Sequence, residues 1–109
     1  MNASALTQDE LDLRFHALSQ ARRRSILRLV GDREVAAGEI AAAFDVTRTA
    51  VSQHLTILKE AGLVTERREG TRRLYRARRE SLPQLHDALD AIWAGALDRG
   101  KALAEGETQ

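Results

Sequence analysis

Apolar positions recur at helical spacing towards both ends of the chain, and at alternating spacing once, past its middle. Leu11, Phe15 and Leu18 fall on one face of a first helix; Ile26, Leu27 and Val30 share a face of a second, which Gly31-Asp32 ends. A short helix is expected over about 36–44, with Ile40 and Phe44 turned inward. The stretch Phe44-Asp45-Val46-Thr47 breaks it, and an amphipathic helix follows over about 48–61. Thr47 suits its N-cap, and Gly62 stops it as a C′ residue would.

Beyond Gly62 the period becomes two. Leu63-Val64-Thr65-Glu66-Arg67-Arg68 and Arg72-Arg73-Leu74-Tyr75-Arg76-Ala77 flank Glu69-Gly70-Thr71, a strand–turn–strand pattern with glycine where a positive φ is cheap. The Arg-rich strands are too polar to bury, so the hairpin should project into solvent, with Leu74 and Tyr75 packing its base. A last helix starts near Ser81, read as its N-cap, with Pro83 tolerated in the first turn. Leu82, Leu85, Leu89, Ile92, Trp93, Ala96 and Leu103 lie along one side of it. The expected fold is mainly α: about five helices with a two-stranded β-hairpin wing, a winged helix-turn-helix in a single domain over 1–109. The ends, about 1–5 and 105–109, should fray.

Placed at 100° per residue, the helix over 48–61 has a buried stripe of Val51, Leu55 and Leu58. Arg48, Thr49, Ser52, Gln53, Thr56 and Lys59 occupy the other side. An ordinary solvated face is richer in Glu and Lys; short hydroxyls, an amide and cations suit base edges and phosphates. Arg can bridge guanine O6 and N7, Gln can bridge adenine N6 and N7, and short Ser and Thr allow close approach to the groove floor. His54, between stripe and exposed face, reads as a packed or phosphate-facing side chain, because no other metal ligand sits at i±3 or i±4.

Charge sharpens this. The formal net charge of +1 averages unlike segments. Residues 1–45 carry six Arg against seven acids; residues 46–79 carry nine cations against three acids; residues 80–109 carry two cations against six acids. A block of +6 between acidic flanks is the footprint of a polyanion binder. Seven arginines (Arg67, Arg68, Arg72, Arg73, Arg76, Arg78, Arg79) sit in or beside the hairpin, where they suit phosphates or a narrow minor groove. Arg76, Arg78 and Arg79 are expected to pair with acids of the terminal helices, and the tip arginines to stay free.

Other chemistries lose their residues. Cysteine is absent, which removes disulfides, thiolate catalysis and Cys-ligated zinc. There is no Gly-rich phosphate loop and no convergent carboxylate pair, and the three histidines lie on three elements, so an enzyme is not expected. No apolar run approaches a membrane span, and the N-terminus lacks the basic start and apolar stretch of a signal peptide. The expected location is the cytoplasm.

Phe15-His16-Ala17-Leu18-Ser19, Ala21-Arg22-Arg23-Arg24-Ser25-Ile26-Leu27 and Gly38-Glu39-Ile40-Ala41 resemble, in order and spacing, segments of the ArsR/SmtB family of small bacterial winged-helix repressors. So do Ala50-Val51-Ser52-Gln53-His54-Leu55, Leu58-Lys59-Glu60-Ala61-Gly62-Leu63-Val64 and Arg68-Glu69-Gly70-Thr71-Arg72-Arg73-Leu74-Tyr75. The resemblance implies a recognition helix starting near Thr47, a wing tip at Gly70, and a homodimer joined through the terminal helices, about 7–20 and 81–104. Leu11, Phe15, Leu85, Leu89, Ile92, Trp93 and Ala96 are the expected interface residues. Exposed apolar surface along the last helix argues for a dimer independently.

Many relatives sense metals. The family's thiolate site would fall at about 39–44, where this chain reads Glu-Ile-Ala-Ala-Ala-Phe and has no thiol. A second family site uses Asp and His of the last helix; here it offers His86 and Asp90 at i and i+4, with Asp87 beside them and His16 as a cross-interface candidate. One imidazole per subunit falls short of a zinc site and suits a weak site for nickel or another borderline ion.

The leading expectation is therefore a sequence-specific transcriptional repressor, a homodimer on double-stranded operator DNA with an inverted repeat. Its DNA contacts are Thr47, Arg48, Thr49, Ser52, Gln53, Thr56, Arg67, Arg68, Arg72 and Arg73. No cofactor is required by this reading. The alternatives are a regulator of the same fold with a divalent metal as effector, and a protein–protein adaptor that needs a partner to bind DNA.

Overall fold

A computed structural model describes the backbone of residues 5–107 and the side chains of residues 5–100. The elements follow the expected order: α1 (Gln8–Leu18), α2 (Ala21–Leu29), β1 (Val35–Ala36), α3 (Ala37–Phe44), α4 (Arg48–Glu60), β2 (Val64–Glu69), β3 (Arg72–Ala77) and α5 (Ser81–Glu107). The fold is a winged helix-turn-helix. The Leu103 side chain lies outside those described.

α1 starts on a capping box. Thr7 Oγ1 accepts from the Glu10 amide at 3.1 Å, and the Glu10 carboxylate accepts from the Thr7 amide at 2.9 Å. Thr7→Ala is expected to cost about 1 kcal/mol of stability, read as a lower urea midpoint. α3 ends with Asp45 in the left-handed region (φ 52°), which turns the chain within two residues onto Thr47. Thr47 caps α4 as expected, its hydroxyl accepting from the Ala50 amide at 3.0 Å. At the other end Gly62 takes φ 77°, and the Leu63 amide returns to the Leu58 carbonyl at 3.0 Å.

The core is one cluster beneath α4. Val51, Leu55 and Leu58 meet Ile26 and Val30 of α2, Ile40 of α3, and Leu63, Val64 and Tyr75 of the sheet, all buried. Leu27, Phe44 and Ala77 close its edges.

Two local expectations change. The wing belongs to a three-stranded antiparallel sheet of order β1-β3-β2, because Val35 and Ala36 pair with Tyr75 and Leu74. Two residues are too short to show a period, so only pairing reveals β1. Ser81 does not act as an N-cap: it is the first residue of α5, is buried, and its hydroxyl donates to the Arg78 carbonyl at 2.6 Å. That bond closes the turn between β3 and α5, and Ser81 takes up the first helical position instead of the one before it.

Candidate nucleic-acid interface

Burial of Val51, Leu55 and Leu58 fixes the rotation of α4 about its axis. Thr49, Ser52, Gln53 and Thr56 are thereby turned to solvent. No acid lies in the first turn of this helix, so its N-terminal amides and Arg48 present positive potential together. Thr47, also exposed, has its hydroxyl engaged as the cap.

The wing meets the start of α4 across a cleft. Gly38, Glu39, Arg48, Thr71, Arg72 and Arg73 line a concavity of about 490 Å³. The Arg48 guanidinium lies over α3, with Nη1 3.2 Å from where a Cβ on residue 38 would stand. Glycine at 38 gives that side chain room. Nothing in the periodicity pointed to Gly38, since its role depends on an arginine ten residues away. Three arginines from two elements thus converge, with Glu39 at the edge holding Arg72 (Nη2–Oε1 2.9 Å).

The strand register sorts the wing arginines. Arg68 stands directly opposite Arg73. Both are exposed, and like charges directly opposite repel unless an anion joins them. Arg67 points to the other face, where Nε and Nη2 hold both oxygens of Glu34 at 2.9 and 2.7 Å and Nη2 also reaches Glu69 at 3.1 Å. The expected pairing is therefore redistributed. Arg67 and Arg72, near the tip, are the paired ones, through Glu34 and Glu39 rather than acids of the terminal helices. Arg76 reaches the Asp32 carbonyl at 3.4 Å, and Arg78 lies 3.8 Å from Glu80, just before α5. These partners lie tens of residues away in sequence in three of the four cases, so no local pattern announces them.

A polar chain ties wing to helix. The Tyr75 hydroxyl donates to Glu66 Oε2 at 2.5 Å, and Glu66 Oε1 lies 3.7 Å from Lys59 Nζ on α4. The Tyr75 hydrogen bond, with Lys59, Arg73 and Arg68 adding to it, holds the Glu66 carboxyl below its ordinary value of 4.5. A depressed carboxyl stabilises the fold above that value and loses its contribution as pH falls. Glu66→Gln should therefore flatten the acid side of a stability–pH curve, with wild type and variant converging at low pH in urea titrations.

His54 is half-buried; its Nδ1 has no partner among the described residues, and burial with Arg23 and Arg22 nearby lowers its pKa. That matches a packed histidine. The expected interface residues divide. Leu11 is buried against its own protomer and Leu85 is half-buried, whereas Phe15, Leu89, Ile92, Trp93 and Ala96 are exposed, Trp93 to 66%. Leu97, not singled out, extends the same stripe.

On α5, His86 Nδ1 lies 3.4 Å from Asp90 Oδ2, and ligand atoms of His86, Asp87 and Asp90 lie within 4.8 Å of one another. All three are exposed. One imidazole and two carboxylates on a single solvated turn fit weak binding of a divalent ion, and among the described residues no further ligand joins the group. Among the described residues, no helix is long and apolar enough to cross a membrane.

A helix with a polar, acid-poor face, beside a cationic ribbon on a three-helix core, defines a winged-helix DNA-binding protein. A helix-turn-helix domain family matches residues 18–67. The chain is 40% identical over 96 residues to the HTH-type transcriptional regulator Rv2034 of Mycobacterium tuberculosis, covering 88% of this chain and 90% of that one. It superposes on an ArsR-like transcriptional regulator from Rhodococcus sp. RHA1 with TM-score 0.79 at 32% identity, over 89% of this chain and 92% of that one. A homodimeric winged helix-turn-helix DNA-binding domain of Mycobacterium bovis gives TM-score 0.66 at 36% identity, over 79% and 80%. The chain belongs to the ArsR family of winged helix-turn-helix transcriptional regulators.

Proposed function

We propose that the protein is a homodimeric, sequence-specific repressor of the cytoplasm that occupies an inverted-repeat operator. The observation that carries this reading is the pairing of Thr49, Ser52, Gln53 and Thr56, exposed on a rigidly packed helix, with the exposed Arg68 and Arg73 of the wing, neither in an ion pair among the described residues. The helix face reads base edges; the ribbon holds phosphates. Arg48 and Arg72 flank the cleft between them, and Arg67 contributes to the wing's field while braced by Glu34. Two copies joined through α1 and α5 set two recognition helices about 34 Å apart, one turn of duplex. A dimer seated there excludes polymerase by occupancy alone.

The two elements should respond differently to mutation. Gln53→Ala or Ser52→Ala is expected to narrow the gap between operator and random DNA by about 1–3 kcal/mol. Arg68→Ala or Arg73→Ala should weaken both alike and reduce the slope of log K against log salt by about 0.9 per lost phosphate contact. Fluorescence anisotropy on both duplexes across a salt series separates the two patterns. The same pattern from helix and wing variants would refute the division of roles.

A second reading rests on the His86–Asp90 contact. In it a divalent ion such as nickel binds α5 and alters DNA affinity. Anisotropy in chelator and then with zinc, nickel and cobalt tests it: a response to one ion that His86→Ala removes supports the reading, and identical affinity throughout rejects it.

A further inference from the structure

A second concavity, away from α4 and the wing tip, has a different chemistry. It opens between α2, the turn after β3 and the first turns of α5, and measures about 470 Å³, within the range of small-ligand sites. Its floor is aliphatic, formed by Leu18, Leu27, Leu63 and Leu85, with the exposed Leu82 at its lip. No aromatic side chain lines it. Its rim holds Arg24, Arg28, Arg78 and Arg79, and no Asp or Glu lines it.

The positive charge extends behind the wall. Arg14 of α1 is 3% exposed, and its Nη1 donates at 3.3 Å to the carbonyl of Ser81, a wall residue. Its Nη2 and Arg78 Nη1 lie 3.1 and 3.5 Å from the point where a Cβ on Gly62 would stand, so the two guanidiniums flank one spot. Arg14 has no carboxylate partner among the described residues, and its Nε is buried without a hydrogen bond. A buried cation without a counter-ion costs stability, and burial together with Arg78 lowers the Arg14 pKa. Glu80 is 3.8 Å from Arg78 Nε and 70% exposed; Glu10, one turn earlier on α1, partly offsets the lowering at Arg14 from outside ion-pair distance.

We infer that this pocket binds a fatty carboxylate, its aliphatic chain on the leucine floor and its head between the rim arginines. The leucines remove the chain from water. The guanidinium fork matches a carboxylate in geometry, and the carboxylate supplies the negative charge that the rim lacks. Arg28 and Arg79 are exposed and have no acid partner among the described residues, so they are free to close on the head. The site shares no residue with the His86–Asp90 pair or with the DNA-facing set; its Leu85 is also an expected interface residue, so the inference requires a dimer that leaves the mouth of the pocket open.

Titration calorimetry of the full-length protein with sodium dodecanoate below its micelle concentration tests this. One dodecanoate per protomer is expected. Dodecanol, which keeps the chain, should bind at least about tenfold more weakly, and acetate, which keeps only the head, not measurably. Affinity should rise by up to about fourfold per methylene from octanoate to dodecanoate. The double variant Arg28→Glu/Arg79→Glu, at two exposed positions, should weaken dodecanoate at least about tenfold with unchanged circular dichroism. Equal binding of dodecanoate and dodecanol, or unchanged affinity in the double variant, would overturn the inference. So would absence of dodecanoate binding; if the double variant then also dissociated the dimer, the pocket would be a surface that the second protomer covers.

Discussion

Ile92→Asp/Trp93→Asp is expected to give a folded monomer whose affinity for a two-half-site operator falls about 10²–10⁴-fold. Both side chains are more than half exposed on α5, and neither belongs to the core, so the fold itself loses nothing. Leu89 and Leu97 lie on the same stripe, which leaves a run of apolar side chains in water that a lone protomer has no reason to keep. Charges placed there oppose an isologous interface twice, once from each copy. The drop in DNA affinity follows without touching any DNA-facing residue, because the second half-site contact is then no longer intramolecular. Sedimentation velocity reads the first effect and anisotropy the second. A variant that stays dimeric would move the interface elsewhere.

Leu55→Ala is expected to destabilise the fold by about 2–5 kcal/mol, a large part of the roughly 5–15 kcal/mol that holds an ordinary domain together. Leu55 is 1% exposed, on the inner face of α4, where it packs within the cluster formed with α2, α3 and the sheet. Truncation leaves a cavity that three helices would have to shift to close. Gln53, two residues earlier and on the outer face, should change stability by no more than about 0.5 kcal/mol when replaced by Ala. The pair therefore dissociates stability from recognition on one helix. Urea melts at fixed protein concentration measure both; fixed concentration matters because dimerisation adds to apparent stability.

The elements that were legible in sequence carry their own punctuation. α4 is bounded by Thr47, whose hydroxyl caps it, and by Gly62, whose positive φ ends it; both are local devices that a reader of residues can find. The inner and outer faces of α4 follow from period alone, so Thr49, Ser52, Gln53 and Thr56 could be named as exposed in advance. The hairpin follows from alternation around Gly70, but its register does not: Glu69 reads as part of the turn and instead pairs with Arg72, leaving Gly70-Thr71 as the turn.

What was not legible depends on distant partners. β1 exists because two residues find β3, forty positions on. Arg67 reads as a free tip cation until Glu34 is brought beside it by that same pairing. Ser81 looks like a helix cap, and becomes a buried donor because the chain leaves β3 through a tight turn. Arg14 is the sharpest case. Arg14 stands at i+3 from Leu11 and i−4 from Leu18, so period alone puts it on the face they share, and the approach of Gly62 and Ser81, which no local pattern announces, buries it there. Periodicity ranks positions by face; it does not say which face a neighbour will cover.

The central claim is that two copies of α4, held at a fixed spacing, read sequence. Selection of bound duplexes from a fully randomised library by the purified protein tests this most directly. An inverted repeat with half-site centres about 10–10.5 base pairs apart is expected to be enriched, and that enrichment to be lost in the Gln53→Ala protein. Enrichment of a single unrepeated site, or of no sequence above the starting library, would contradict it.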